Sequence, residues 1–264
     1  MSSSPPNVQM PLNLEDFQSL LHSEEAQDFR NLLQYAMPEW RKDSNLFFLP
    51  ADILDAISTD VVEKELRRIK PDIEESDYST CARYISENSI RVFCLLARGH
   101  PDIYKSSIRT FVKDSIQDQH LPFHRFDKEF EGTLDKYALG KAGLGCHTSG
   151  HVNCRIGATK AWNDSMITAL LRDQWAVLAP RFSSQKDKIP NLDLPESSIL
   201  PFIEDNKESA SQGGYGTVWQ VRVHKAHHEL GTTRPFEVSY TLSSCILATN
   251  CSIAHVRSYQ TTLT

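Results

Sequence analysis

The spacing of apolar residues predicts a chain that is helical over most of its length. Between residues 12 and 36, leucine and phenylalanine recur every three or four positions, which predicts one or two amphipathic helices ending near Pro38. The same period predicts further helices over residues 52–58, 60–71, 79–98, 104–115 and 162–178. Apolar stripes with this spacing ordinarily face a core. We therefore expect a helical domain over residues 12–180, preceded by a disordered leader at 1–11.

Polar and helix-breaking residues set the expected helix ends. Asp60, with Glu63 three positions later, predicts a capping box, and Pro71 ends the helix that this box opens. The periodicity over residues 79–98 has no interruption, and Gly99 and Pro101 follow it as stop signals. That segment is therefore expected to form one continuous helix.

A glycine-rich segment over residues 139–160 breaks the helical pattern and predicts a loop or an insertion. It contains four residues of the types that bind zinc, namely Cys146, His147, His151 and Cys154. The spacing is poor for a structural zinc site, because the first two are adjacent and no second ligand pair follows at a distance. A glycine-rich surface loop is the favoured interpretation, and a zinc site is the alternative.

The pattern changes again after residue 180. Three prolines punctuate the next segment and predict a linker over residues 181–198. Residues 199–203 and 217–223 then predict two strands on either side of a glycine cluster, which is a hairpin arrangement. The expected fold class is therefore α+β, mainly α with a small β portion.

The glycine cluster matches most of the phosphate-binding loop of protein kinases, G-x-G-x-x-G-x-V. Gly213 and Gly216 fit its second and third glycines, Val218 fits the residue over the adenine, and Ser211 replaces the first glycine. A bare hairpin turn is the alternative interpretation, since glycine dominates such turns. The candidate nucleotide-binding residues are Ser211, Gln212, Gly213, Gly214, Tyr215, Gly216 and Val218.

The flanking segments extend this match. They are Gln174–Trp175 with Leu178–Ala179–Pro180, then Leu200–Pro201–Phe202, and Val223–His224 with His227–His228 after the loop. Over about residues 160–230 the chain resembles the serine/threonine protein kinases of filamentous fungi. The resemblance implies a partial kinase N-lobe over residues 199–240. It also implies that the family binds ATP together with Mg²⁺ and transfers a phosphoryl group to a protein hydroxyl.

The chain departs from that family after the loop. A kinase holds the ATP phosphates with a lysine on its third strand, and Ser239 stands in that place here. A His-Arg-Asp catalytic loop and an Asp-Phe-Gly metal-binding segment do not occur in the sequence. We expect a chain truncated after the glycine-rich loop, without kinase activity of its own. The Ser/Thr-rich tail at 241–264 suggests a retained intron or a frameshift.

Two other features bear on function. His224, His227 and His228 lie close together in sequence, and we expect them to be exposed and partly structural, because they have little carboxylate support. The helical domain could itself bind a protein partner, so the alternative function is an interaction or regulatory module that carries a vestigial kinase fragment.

The net charge and the composition limit the classes of partner and the cellular location that we expect. The net charge is −6, and residues 1–130 hold 15 Lys and Arg against 22 Asp and Glu, whereas residues 131–264 hold 13 against 12. This balance argues against a nucleic-acid partner, which requires a basic face. Apolar runs are too short for a membrane span, and the N-terminus has no signal-peptide pattern. A cytoplasmic or nuclear location is expected, with the six cysteines as thiols.

Overall fold

Helices are the predominant secondary structure among the residues that the computed structural model describes. The model describes residues 11–23, 28–40, 46–71, 73–99, 101–125, 139–140, 156, 162–182, 194–195, 197–213, 216–228, 237–243 and 253–257. Within these residues the helices are α1 (Leu14–His22), α2 (Phe29–Ala36), α3 (Ala51–Ala56), α4 (Thr59–Ile69), α5 (Tyr78–Asn88), α6 (Ile90–Arg98), α7 (Pro101–Lys113) and α8 (Asp164–Val177). The predicted mainly helical character is confirmed.

The strands form two small pairs and one larger sheet. In the helical part, β1 (Glu39–Trp40) pairs with β2 (Leu46–Phe47), and β3 (His124–Arg125) pairs with β4 (Leu139–Gly140). After α8, the strands β5 (Phe202–Gly213), β6 (Gly216–Val223), β7 (Glu237–Ser243) and β8 (Ile253–Arg257) form an antiparallel sheet in sequence order. The first strand therefore runs over residues 202–213, well beyond the predicted 199–203.

The helices enclose one apolar core. Asn13 and Asp28 cap α1 and α2 by accepting backbone N–H groups of the first turn, which explains where these two helices begin. The largest fully buried side chains belong to Phe17, Leu33, Phe48, Leu49, Ile53, Leu66, Leu95, Leu96, Ile108, Ile116, Leu139 and Ile156. Residues from nearly every helix contribute to this cluster, so α1–α8 form one packed unit, hereafter the helical module. Among the described helices, each is too short or too polar to cross a bilayer.

The prediction of one continuous helix over residues 79–98 is wrong, because Ser89 separates helix α5 from helix α6. Ser89 leaves the helical region with φ −143° and ψ 27°, and its hydroxyl donates to the carbonyl oxygen of Ile116 at 2.6 Å. Asp118 accepts the backbone N–H groups of Arg91 and Val92 at 3.1 and 3.0 Å. A carboxylate 26 to 27 residues away in sequence thus caps α6, and local periodicity gives no sign of it.

One predicted helix start also differs from the structure. The cap of α4 is Ser58, whose hydroxyl accepts the N–H of Val61, whereas Asp60 lies inside the first turn. The predicted end at Arg98 is confirmed, with Gly99 as the C-cap, and Pro101 is in addition the first residue of α7. Proline suits this first position because the missing N–H would have had no partner within the helix.

A buried carboxylate links α4 to α7. Glu65 is only 4% exposed, and its carboxylate accepts two hydrogen bonds from Arg68, at 2.6 and 2.7 Å. The hydroxyl of Tyr104 donates to the same carboxylate at 3.1 Å. Every partner of Glu65 is thus a donor, so the buried charge is well satisfied.

Removal of this carboxylate is expected to destabilise the helical module. In Glu65→Ala, Tyr104 loses its acceptor and Arg68 loses its main partner, so the free energy of unfolding should fall by about 3 kcal/mol. Urea unfolding followed by circular dichroism measures the change. Glu63→Ala is the matched control in the same helix, because its ion pair with Arg67 lies on the surface and should contribute far less. Equal losses in the two variants would contradict the assignment.

Candidate functional site

The glycine cluster lies at the end of the β5–β6 hairpin. Gly213 is opposite Gly216, Gln212 is opposite Thr217, and Ser211 is opposite Val218. Two residues therefore connect the strands, and these are Gly214 and Tyr215, which lie outside the described residues. Five of the seven candidate nucleotide-binding residues thus occupy paired strand positions, and the other two form the connection between them.

The third strand of the sheet contains Ser239, the residue expected from the resemblance to stand in the place of a kinase lysine. Ser239 of β7 is opposite Gln220 of β6, and on its other side it is opposite Arg257 of β8. A serine hydroxyl carries no charge, so this position offers no cation to a phosphate. The candidate zinc ligands Cys146, His147, His151 and Cys154 lie outside the described residues. Within the described ranges, no group of three potential metal ligands comes together.

The segment that follows β6 attaches the hairpin to the helical module. A single 3₁₀ turn over Lys225–His227 follows the strand and brings His227 to the start of α3. There the Nε2 atom of His227 accepts the backbone N–H of Ala51 at 3.1 Å. Because α3 has no side-chain cap from its own sequence, this imidazole provides a hydrogen bond to the first N–H of the helix.

The second ring nitrogen of His227 fixes its tautomer. Since Nε2 accepts a hydrogen bond, the proton lies on Nδ1, which donates to the carbonyl oxygen of Pro180 at 2.9 Å. The residue is only 1% exposed. Burial, partly opposed by the hydrogen bond to Pro180 and aided by the neighbouring His224 and Arg181, lowers the pKa of His227 from the usual 6.5 to about 4. The ring is therefore neutral at physiological pH.

Aromatic and backbone contacts complete this contact region. The buried ring of Phe48 is perpendicular to the rings of His224 and His227, with centroids 5.7 and 5.4 Å apart. The N–H of Phe182 donates to the carbonyl oxygen of His227 at 2.7 Å. Arg181 binds the carbonyl oxygen of Ala51 at 3.0 Å. We call this region the histidine junction, made of Phe48, Ala51, Pro180, Arg181, Phe182, His224 and His227.

The histidine junction corrects the prediction that all three histidines are exposed. His227 is buried and holds two backbone segments, while His224 and His228 are partly buried. One sequence signal points to this region, which is that three histidines within five residues follow directly after a predicted strand. It gave no sign of the partners, since Ala51 lies 176 residues earlier and contributes only its backbone.

A groove lies on the helical module, away from the histidine junction. Its volume is about 440 Å³, and it runs between the start of α5 and the end of α7. Acidic and basic residues share its lining with apolar ones, namely Ile73, Glu74, Asp77, Cys81, Arg109, Val112 and Lys113. The pKa of the Cys81 thiol is raised by burial and by the Asp77 carboxylate, so the thiol is a poor nucleophile. The groove is thus suited to contact with a partner of mixed charge and not to covalent chemistry.

Comparison of the chain with models of protein families, with curated proteins and with solved structures finds no match.

The histidine junction makes stability dependent on pH. Because the pKa of His227 is lower in the folded chain than in the unfolded chain, the unfolded chain binds the proton more readily between about pH 4 and 6.5. Stability contributed by the neutral ring is complete above 6.5 and is lost as the pH falls. We expect the free energy of unfolding to fall by about 2 kcal/mol between pH 7.5 and pH 5.

The control for this pH dependence is His227→Gln, which keeps a donor and an acceptor but cannot titrate. Its unfolding free energy should change much less over the same pH interval, as measured by urea unfolding at each pH. His228→Gln should retain the dependence of the natural chain. An unaltered pH profile in His227→Gln would show that other groups cause the effect.

Proposed function

We propose that this chain is the nucleotide-loop part of a serine/threonine protein kinase of the filamentous-fungal type, in which the helical module carries a glycine-rich hairpin. One observation supports this most. The glycine cluster forms the end of an antiparallel hairpin, with Gly213 opposite Gly216, and the hairpin is attached through His227 to the helical module. A glycine-rich connection between two strands is the kind of segment whose backbone can approach the phosphates of ATP.

The chemistry of this loop predicts weak nucleotide binding. Ser239 replaces the lysine that would neutralise the phosphates, and a single charge-assisted contact of this kind changes affinity by about tenfold. Phosphoryl transfer also requires Mg²⁺ held by acidic and amide ligands, and the family motifs that supply them are not in this sequence. The chain itself should therefore bind ATP weakly and should not transfer phosphate.

Restoring the cation tests this proposal. Ser239→Lys should tighten the binding of a fluorescent ATP analogue by about tenfold, because the new ammonium group pairs with the phosphates. Titration of the full chain with Mg²⁺ present measures the dissociation constant.

Val238→Lys is the control, because it adds the same charge at the neighbouring position of β7, on the opposite face of the sheet. An equal gain in both variants would indicate general attraction of an anion and would contradict the proposed site. Micromolar or tighter Mg²⁺-dependent binding by the natural chain would contradict the role assigned to the missing lysine.

A second candidate function is a protein-interaction module, and the groove between α5 and α7 favours it. Its lining presents two carboxylates on one side and two basic groups of α7, one helical turn apart, on the other. Such a surface suits a peptide that carries both charges. Lys113→Glu in the full chain should abolish capture of such a partner, while leaving the affinity for the ATP analogue unchanged.

A further inference from the structure

The hairpin and the helical module meet through a small number of directional contacts. The N–H of His224 donates to the carbonyl oxygen of Pro201, at 2.8 Å, which closes the base of the β5–β6 hairpin. Three residues later, His227 makes its two ring hydrogen bonds to the helical module, through Ala51 and Pro180. The base of the hairpin and its anchor are thus joined by one short turn.

Both partners of His227 belong to rigid parts of the helical module. Ala51 is the first residue of α3. Leu49, two residues earlier, donates its N–H to the carbonyl oxygen of Ala176 in α8 at 2.8 Å. Pro180 follows the end of α8 by three residues. The ring of His227 therefore lies between two segments that already bind one another, and it has little freedom to shift.

We propose that His227 is a positioning residue through which the helical module sets the placement of the glycine-rich hairpin and so controls its affinity for nucleotide. The nucleotide part of this inference rests on the function proposed above. β6, the second strand of the hairpin, ends at Val223, only four residues before His227. His227 can therefore act on the hairpin through the backbone, and its side chain does not need to touch the nucleotide. A hairpin held in place loses less freedom on binding than a loose one, and its ligand binds more tightly for that reason.

Hydrogen exchange of the full chain tests the positioning role without any ligand. In His227→Ala, the amides of residues 204–222 should exchange about tenfold faster, because the hairpin loses its anchor while its own ladder remains. The amides of α4 should accelerate less than the hairpin amides in the same sample, because that helix lies in the core of the helical module and the hairpin can open without it. Equal acceleration in α4 and in the hairpin would show a general loss of stability, and it would overturn the inference, as would an unchanged hairpin.

Two further variants separate positioning from folding. His227→Gln places an amide donor and an acceptor in one side chain, so it should restore slow exchange in the hairpin. His228→Ala alters the neighbouring residue, whose backbone bridge to Phe182 remains, and should exchange like the natural chain. Failure of the glutamine variant to restore slow exchange would contradict a role for the two ring hydrogen bonds.

Affinity for the fluorescent ATP analogue supplies the functional measurement. His227→Ala should weaken binding by about fivefold, with recovery in His227→Gln and no change in His228→Ala. Unchanged affinity in His227→Ala would overturn control of the nucleotide site. If the natural chain bound no analogue, the proposed kinase-type function would fail, and the exchange experiment would still decide whether His227 positions the hairpin.

Discussion

The two hydrogen bonds of one buried imidazole connect the two differently built parts of this protein. His227 can accept from Ala51 and donate to Pro180 only as the neutral Nδ1–H tautomer, and burial of the ring favours that neutral form. An apolar residue of the same size would fill the space but would leave a helix N–H and a carbonyl group without partners. The attachment of the sheet to the helices is therefore polar and directional, although its surroundings are apolar.

Sequence reasoning succeeded where the determining interactions are local. The period of apolar residues gave the helical character, and Pro38, Pro71 and Pro180 lie just beyond the ends of helices α2, α4 and α8. Sequence reasoning failed where a residue far away in the sequence determines where a helix ends. Ser89 interrupts a regular apolar stripe because its hydroxyl donates to Ile116, and Asp118 accepts the first N–H groups of the helix that follows. Both partners come from a later segment, and no pattern within residues 79–98 contains that information.

The candidate site shows the same division. Glycines at fixed spacing favour a turn between two strands, since a turn depends on residue type and immediate neighbours alone. The burial of His227 could not be predicted, because its environment is assembled from residues near positions 50, 180 and 227. A histidine among polar neighbours is ordinarily exposed, and only the three-dimensional arrangement reverses that expectation.

The remote cap of α3 has a consequence for the order in which the chain can fold. During synthesis the segment that begins at Ala51 leaves the ribosome 176 residues before its capping imidazole. A six-residue helix is too short to persist alone, so α3 gains its final stability only when the turn after β6 arrives. Helix α3, although it lies early in the chain, is thus among the last elements to become stable. Its formation therefore indicates that the β5–β6 hairpin has docked on the helical module.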